Sequence, residues 1–214
     1  PDPVFSGSLY ADDATLKYDW KSGQVPPATS MQPAINDAAA DANATRASKA
    51  AKFAIGTSSS KIAYGEPTNC GPQGIACFSR AGAPTTFQMW FRANGKVLFN
   101  DDGSSFTVRW CQISGGTNCW DAENIALDEF GHVEILNHHA NLAGLSDYIQ
   151  AVVQARSRQG DESPNAGWNA HAFARCDVAS LQTAYGIHST DKISLCLPDR
   201  TTVLTLSVND SSIA

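Results

Sequence analysis

Within residues 127–139, Leu-Asp-Glu-Phe-Gly-His-Val-Glu-Ile-Leu-Asn-His-His, stand three of the chain's five histidines and an adjacent pair of carboxylates. Asp128 and His132 are four residues apart, so on a helix they share one face, with Glu129 beside the first of them. That is the spacing at which a helix presents two ligands to one zinc ion, and carboxylate and imidazole both bind zinc. The chemistry open to such a group is hydrolysis. A metal with a free coordination position lowers the pKa of water to about 7, and a neighbouring carboxylate can take the proton.

Aligned on Glu129, His132 and His138, the stretch resembles the metal-binding helix of the metzincin peptidases, His-Glu-x-x-His-x-x-Gly-x-x-His. It departs from that pattern at Asp128, where the family has histidine, and at Ile135, where it has glycine. A second segment, Cys176-Asp-Val-Ala-Ser-Leu-Gln-Thr-Ala-Tyr-Gly186, is similar to the one that opens the last helix of matrixin-type members. Leu16-Lys-Tyr-Asp-Trp20, followed by Pro27-Ala-x-x-Met31-x-x-Ala-Ile35, is similar to their first strand and helix. The likeness spans roughly residues 14–187.

The resemblance implies a zinc ion held by Asp128, His132 and His138, with Glu129 as general base. His139 competes with His138 for the last ligand position, and the family's spacing favours His138. Asp128 is shorter than the histidine it replaces, so it ligates directly, bridges through water, or supports the site from behind the ligands. His171 is the reserve ligand if Asp128 fails; otherwise His171 and His188 read as structural or solvated. Glu134 falls on another helical face and reads as a solvated charge. With Ile135 in the glycine's place, Asn137 is the residue expected to turn left-handed, since asparagine tolerates that conformation best after glycine. No methionine follows Met89, so the methionine turn of the family is absent in its usual form. Residues 163–171 occupy its place in the order, with Trp168 or Ala170 as the floor beneath the metal.

The elements that must position these residues can be read from pattern. Residues 14–20 alternate as a first strand, and Thr29 or Ser30 caps a long alanine-rich helix over 31–52. Residues 61–64, 86–91, 96–99 and 105–110 read as strands, with Asn94-Gly95 as a hairpin turn between the second and third. A helix starts near Asp121, with Ile125, Ala126, Phe130 and Val133 as packing positions. Asp177 caps a last helix that presents Val178, Leu181 and Tyr185 and stops at Gly186. The expected fold is α+β: a twisted, mostly parallel sheet with a long backing helix and an active-site helix, in a metzincin-like catalytic domain over residues 1–200. Residues 201–214 alternate like a strand and are similar to the opening of bacterial immunoglobulin-like repeats; a tail strand packed on the domain is the other reading.

The 214 residues carry a net charge of −6 with both signs interspersed and no basic cluster, which argues against nucleic acid as a partner. No apolar run approaches the roughly 18 residues that span a bilayer, and the opening Pro-Asp-Pro-Val-Phe-Ser does not read as a charged-then-apolar leader, so the expectation is that any signal peptide has already been removed. Six cysteines fall as near pairs, Cys70/Cys77, Cys111/Cys119 and Cys176/Cys196, which favours local disulfides and an oxidising, extracellular compartment. Asp101-Asp102-Gly103 could hold calcium but reads first as a plain turn. Asn43-Ala-Thr and Asn209-Asp-Ser fit the glycosylation pattern. Three functions follow as expectations: a secreted, monomeric zinc endopeptidase acting on protein or peptide; a lapsed metzincin-fold module that binds protein or polysaccharide; and hydrolysis of a non-peptide substrate at the same metal.

Overall fold

The first strand buries alternate residues, Leu16 and Tyr18, and turns Thr15 and Lys17 outward, as the period of a half-buried strand requires. The computed structural model describes residues 8–65, 70–80, 86–100, 102–111, 119–138, 152–153 and 171–196. Among them the chain is mixed α/β, with a five-stranded sheet in the order β2-β1-β3-β5-β4. Its strands are β1 (Thr15–Trp20), β2 (Lys52–Ile55), β3 (Lys61–Tyr64), β4 (Ala76–Ser79) and β5 (Gln88–Phe91). All neighbours are parallel except β4, which runs antiparallel to β5 at one edge. Two small ribbons follow: β6 (Val97–Phe99) with β7 (Ser105–Thr107), and β8 (Trp110–Cys111) with β9 (Trp120–Asp121).

Three helices are described: α1 (Met31–Thr45), α2 (Ala122–Val133) and α3 (Arg175–Tyr185). Helix α1 buries Ala34, Ala38, Ala39 and Ala42, and these small side chains let it lie close against α2. Phe130 fixes α2 to the sheet. Its ring lies 4.4 Å from that of Phe53 and 5.7 Å from that of Tyr18, centroid to centroid. All three local disulfides are present, Cys70–Cys77, Cys111–Cys119 and Cys176–Cys196, the last joining the start of α3 to the segment that follows it. No helix among the described residues is long and apolar enough to cross a membrane.

The structure corrects three expectations about the elements. The alanine-rich helix ends at Thr45 rather than residue 52, because the buried Arg46 guanidinium gathers the Ser48 and Ala50 carbonyls and folds the chain back. Lys52–Ile55 then pairs with β1 as a strand, and the Asn43 carboxamide bonds both the N–H and the carbonyl of Phe53. That occupation argues against Asn43 as a glycan acceptor. Asn94-Gly95 does turn the chain, but it does not join paired strands. Strand β5 already has β3 and β4 on its two sides, so β6 pairs with β7 instead. The Asn94 carboxamide accepts from the Trp110 N–H across that turn. The third correction is β4 itself, which pattern alone did not reveal. Asp102 and Gly103 form the turn between β6 and β7, with Asp102 accepting from both the N–H and the hydroxyl of Ser104. Asp101 lies outside the described residues, as do Trp168, Ala170, Asn209 and the whole 201–214 segment.

Candidate metal centre

Helix α2 begins where its sequence says it should. Asp121 is the N-cap, and its carboxylate accepts from the N–H groups of Glu123 and Asn124. Two turns further on, Asp128 and His132 emerge on one face, both buried, with His132 Nε2 3.4 Å from Asp128 Oδ2. The chain then leaves the helix and returns. Ile135 takes a left-handed conformation (φ 74°), and His138 comes back so that its Nε2 lies 3.0 Å from that of His132. The residue that turns is Ile135 itself, not Asn137. A β-branched residue is a poor choice for that backbone on local sterics, but its side chain is buried in the core, which holds it there.

One ligand atom from each of Asp128, His132 and His138 lies within 4.8 Å of the other two. Ligands on a tetrahedral zinc ion with bonds of about 2.0–2.1 Å stand about 3.3 Å apart, so the His132 separations of 3.0 and 3.4 Å suit a shared cation. The length of Asp128 is therefore no obstacle at this backbone position. The tautomer also suits. His132 Nδ1 lies 2.8 Å from the Leu136 carbonyl, which can only accept, so Nδ1 carries a proton and Nε2 is the nitrogen that faces the cluster. Phe78, on the edge strand β4, stacks on the His132 ring at 5.1 Å and 21°. His139 lies outside the described residues.

Glu129 is buried beside this group, and its Oε2 has no hydrogen-bond partner among the described residues. Burial pushes its carboxyl upward, the His132 charge opposes that, and Asp128 adds to it. For His132, burial acts to lower the pKa, but the charge and hydrogen bond of Asp128, with Glu129 and the Leu136 carbonyl, outweigh it and raise it to about 9. Burial, together with His132, lowers His138.

The floor beneath the helix is supplied by residues that pattern did not single out. Gly131 lies so close to Val153 that a Cβ there would come within 2.3 Å of Val153 Cγ2, and Phe173 and Leu136 close the same spot. Val152 and Val153 are pinned by Asp177, a fully buried residue on α3 whose carboxylate accepts both their N–H groups. Asp177 also accepts from the Ala174 N–H, so it caps α3 from inside the first turn.

His171 stands apart from the cluster. Its Nε2 is 2.7 Å from Asp121 and its Nδ1 3.1 Å from Glu123, at the opposite end of α2. Asp121 is seven residues before Asp128, about 10 Å along a helix, so His171 is a brace for the helix start rather than a ligand. Its hydrogen bond to the Asp121 carboxylate raises the His171 pKa. Glu134 is not solvated but fully buried at the end of α2, and burial raises it to about 8. His188 is held between Asp13 and Asp191 at 2.9 and 2.7 Å. No protein-family model matches the chain, and no curated protein matches it in sequence.

Proposed function

We propose that this chain is a metzincin-type metallohydrolase acting on extended peptide, with a zinc ion held by Asp128, His132 and His138. The observation that carries the reading is the convergence of three ligand atoms within 4.8 Å of one another, beside a buried carboxylate oxygen that has no hydrogen-bond partner among the described residues. The left-handed turn at Ile135, where the family has glycine, supports it, as does the order strand, long helix, strands, site helix, last helix. Zinc held there would polarise the scissile carbonyl and make water acidic near neutral pH. Glu129 would take the proton from the attacking water and pass it to the leaving amine. The Leu136 carbonyl keeps His132 in its ligating tautomer. Strand β4 bonds to β5 on one side, and its other side would pair with substrate backbone, placing the peptide next to Phe78 and the His132 ring that it stacks on.

A second reading, a metal-free binding module on the same fold, draws on one contact. Asp128 and His132 at 3.4 Å also make a self-sufficient ion pair when His132 is protonated. Metal stoichiometry by elemental mass spectrometry on tag-free protein, purified without chelator, separates the two. About one zinc per chain, lost in Asp128→Ala and His132→Ala, supports the hydrolase. No bound metal after zinc is supplied leaves the binding module.

A further inference from the structure

Backbone polar groups along β1 alternate between its two neighbours. The Ala14 and Tyr18 carbonyls accept from the Lys52 and Gly56 N–H groups on the β2 side. On the β3 side, the Asp19 and Lys21 N–H groups donate to the Ser60 and Ile62 carbonyls. By that period of two, the N–H and C=O groups of Thr15 and Lys17 also point to the β3 side. Strand β3, however, meets β1 only from the Asp19–Lys61 pair onward. The sheet therefore lacks a strand beside Thr15–Lys17, and a cavity of about 690 Å³ opens there. Its lining runs from Thr15, Leu16 and Lys17 to the 57–59 loop and Thr86, which stand just before β3 and β5.

Open strand backbone is a template for another strand, and the volume lies in the range of ligand sites, about 300–1,000 Å³. The lining narrows the occupant further. Lys17 is its one charged residue, and the ion pairs among the described residues engage Lys49, Lys52 and Lys61 but not Lys17. A single ammonium suits one carboxylate better than a phosphate dianion. The Tyr10 ring, also in the lining, is buried with the Arg80 guanidinium 4.7 Å over it, so it offers a sugar no open aromatic face. We infer that this gap binds an extended peptide with one acidic side chain, its backbone paired to Thr15 and Lys17 and its carboxylate on the Lys17 ammonium. At about 3.3 Å per residue, a segment of about three residues matches that edge. None of Asp128, His132 and His138 takes part, so the site does not depend on the metal reading.

Amide exchange followed by NMR on the wild-type chain tests the gap and its occupant together. In the free protein the Lys17 N–H should exchange much faster than the Leu16 and Tyr18 N–H groups, which face β2. The peptide acetyl-Thr-Val-Glu-Val-amide should slow Lys17 exchange in proportion to occupancy. Its glutamine counterpart should bind about two- to fivefold more weakly, and Lys17→Ala should erase that difference. Slow Lys17 exchange without peptide would overturn the inference, because the chain itself or a second copy would then fill the gap. So would exchange unchanged at millimolar peptide, or equal affinity of the two peptides for the wild-type chain.

Discussion

His132 gives its Nδ1 proton to the Leu136 carbonyl at 2.8 Å, and that one bond decides which face of the ring looks at Asp128 and His138. The carbonyl is in place because the chain turns left-handed at Ile135, one residue earlier. The backbone turn and the candidate site are therefore one construction, and substitutions in either should be felt in the other.

Glu129→Gln keeps the shape and burial of the side chain but removes its basicity. If Glu129 is the base, chelator-sensitive cleavage of an unfolded protein should fall by about 10²–10⁴-fold. Zinc stoichiometry should stay unchanged. Retained cleavage would remove Glu129 from the chemistry.

In metal-free protein the Asp128–His132 pair should make stability depend on pH. His132 is raised to about 9 when folded, against about 6.5 unfolded. Its contribution is therefore complete below about pH 6.5 and is lost as pH rises through 9. Melting temperature in chelator should decline between pH 6.5 and 9.5, and Asp128→Asn should flatten that decline. A flat wild-type profile would show that the pair is not charged.

Position 131 leaves no room for a methyl group. Glycine to alanine in a helix interior ordinarily stabilises by about 1 kcal/mol, yet here the new Cβ would meet Val153 at 2.3 Å. Gly131→Ala should instead cost about 1–3 kcal/mol, measured by urea unfolding. Val153→Ala in the same chain should return part of the loss.

At Ile135 the usual ranking of glycine and alanine should invert. Both substitutions remove the buried side chain, but only alanine keeps a Cβ in the left-handed conformation (φ 74°). Ile135→Gly should therefore be more stable than Ile135→Ala by about 1–2 kcal/mol. The opposite order would mean that the turn is not left-handed in solution.

His188 donates from both ring nitrogens only when protonated, and both face carboxylates, Asp13 and Asp191. Its hydrogen bonds to these two carboxylates raise its pKa. Arg46 and Lys52 also contact Asp13 and compete for it. The clamp is complete below the unfolded value of about 6.5 and lost as pH rises through the folded value. Amide exchange in residues 187–196 should quicken across that window, beyond its intrinsic rise with pH, and His188→Gln should abolish the excess.

Much of the site was legible because it is local. Asp121 as cap, the apolar spacing of Ile125, Phe130 and Val133, and the i, i+4 pair of Asp128 and His132 all lie within one helix. The three disulfides are likewise short-range. What was not legible depends on distant partners. Ala76–Ser79 becomes a strand only because β5 has a free edge for it, and α1 stops only because the Arg46 side chain finds carbonyls downstream. Glu134 looks like a surface charge until the fold buries it, with the Tyr185 hydroxyl on its backbone carbonyl. Asn137 was the better left-handed residue on local sterics, and core burial of Ile135 overrode that preference.

The Cys176–Cys196 bridge has a mechanical consequence. Residues 177–195, which include nearly all of α3, form a loop closed by two sulfurs. A pull on the chain beyond Cys196 passes through the bridge into Cys176, at the start of the helix, and the loop stays off the load path. Under tension α3 would neither unwind nor lengthen. The force would reach the segment around Phe173, whose N–H is bonded to the Thr45 hydroxyl at the end of α1.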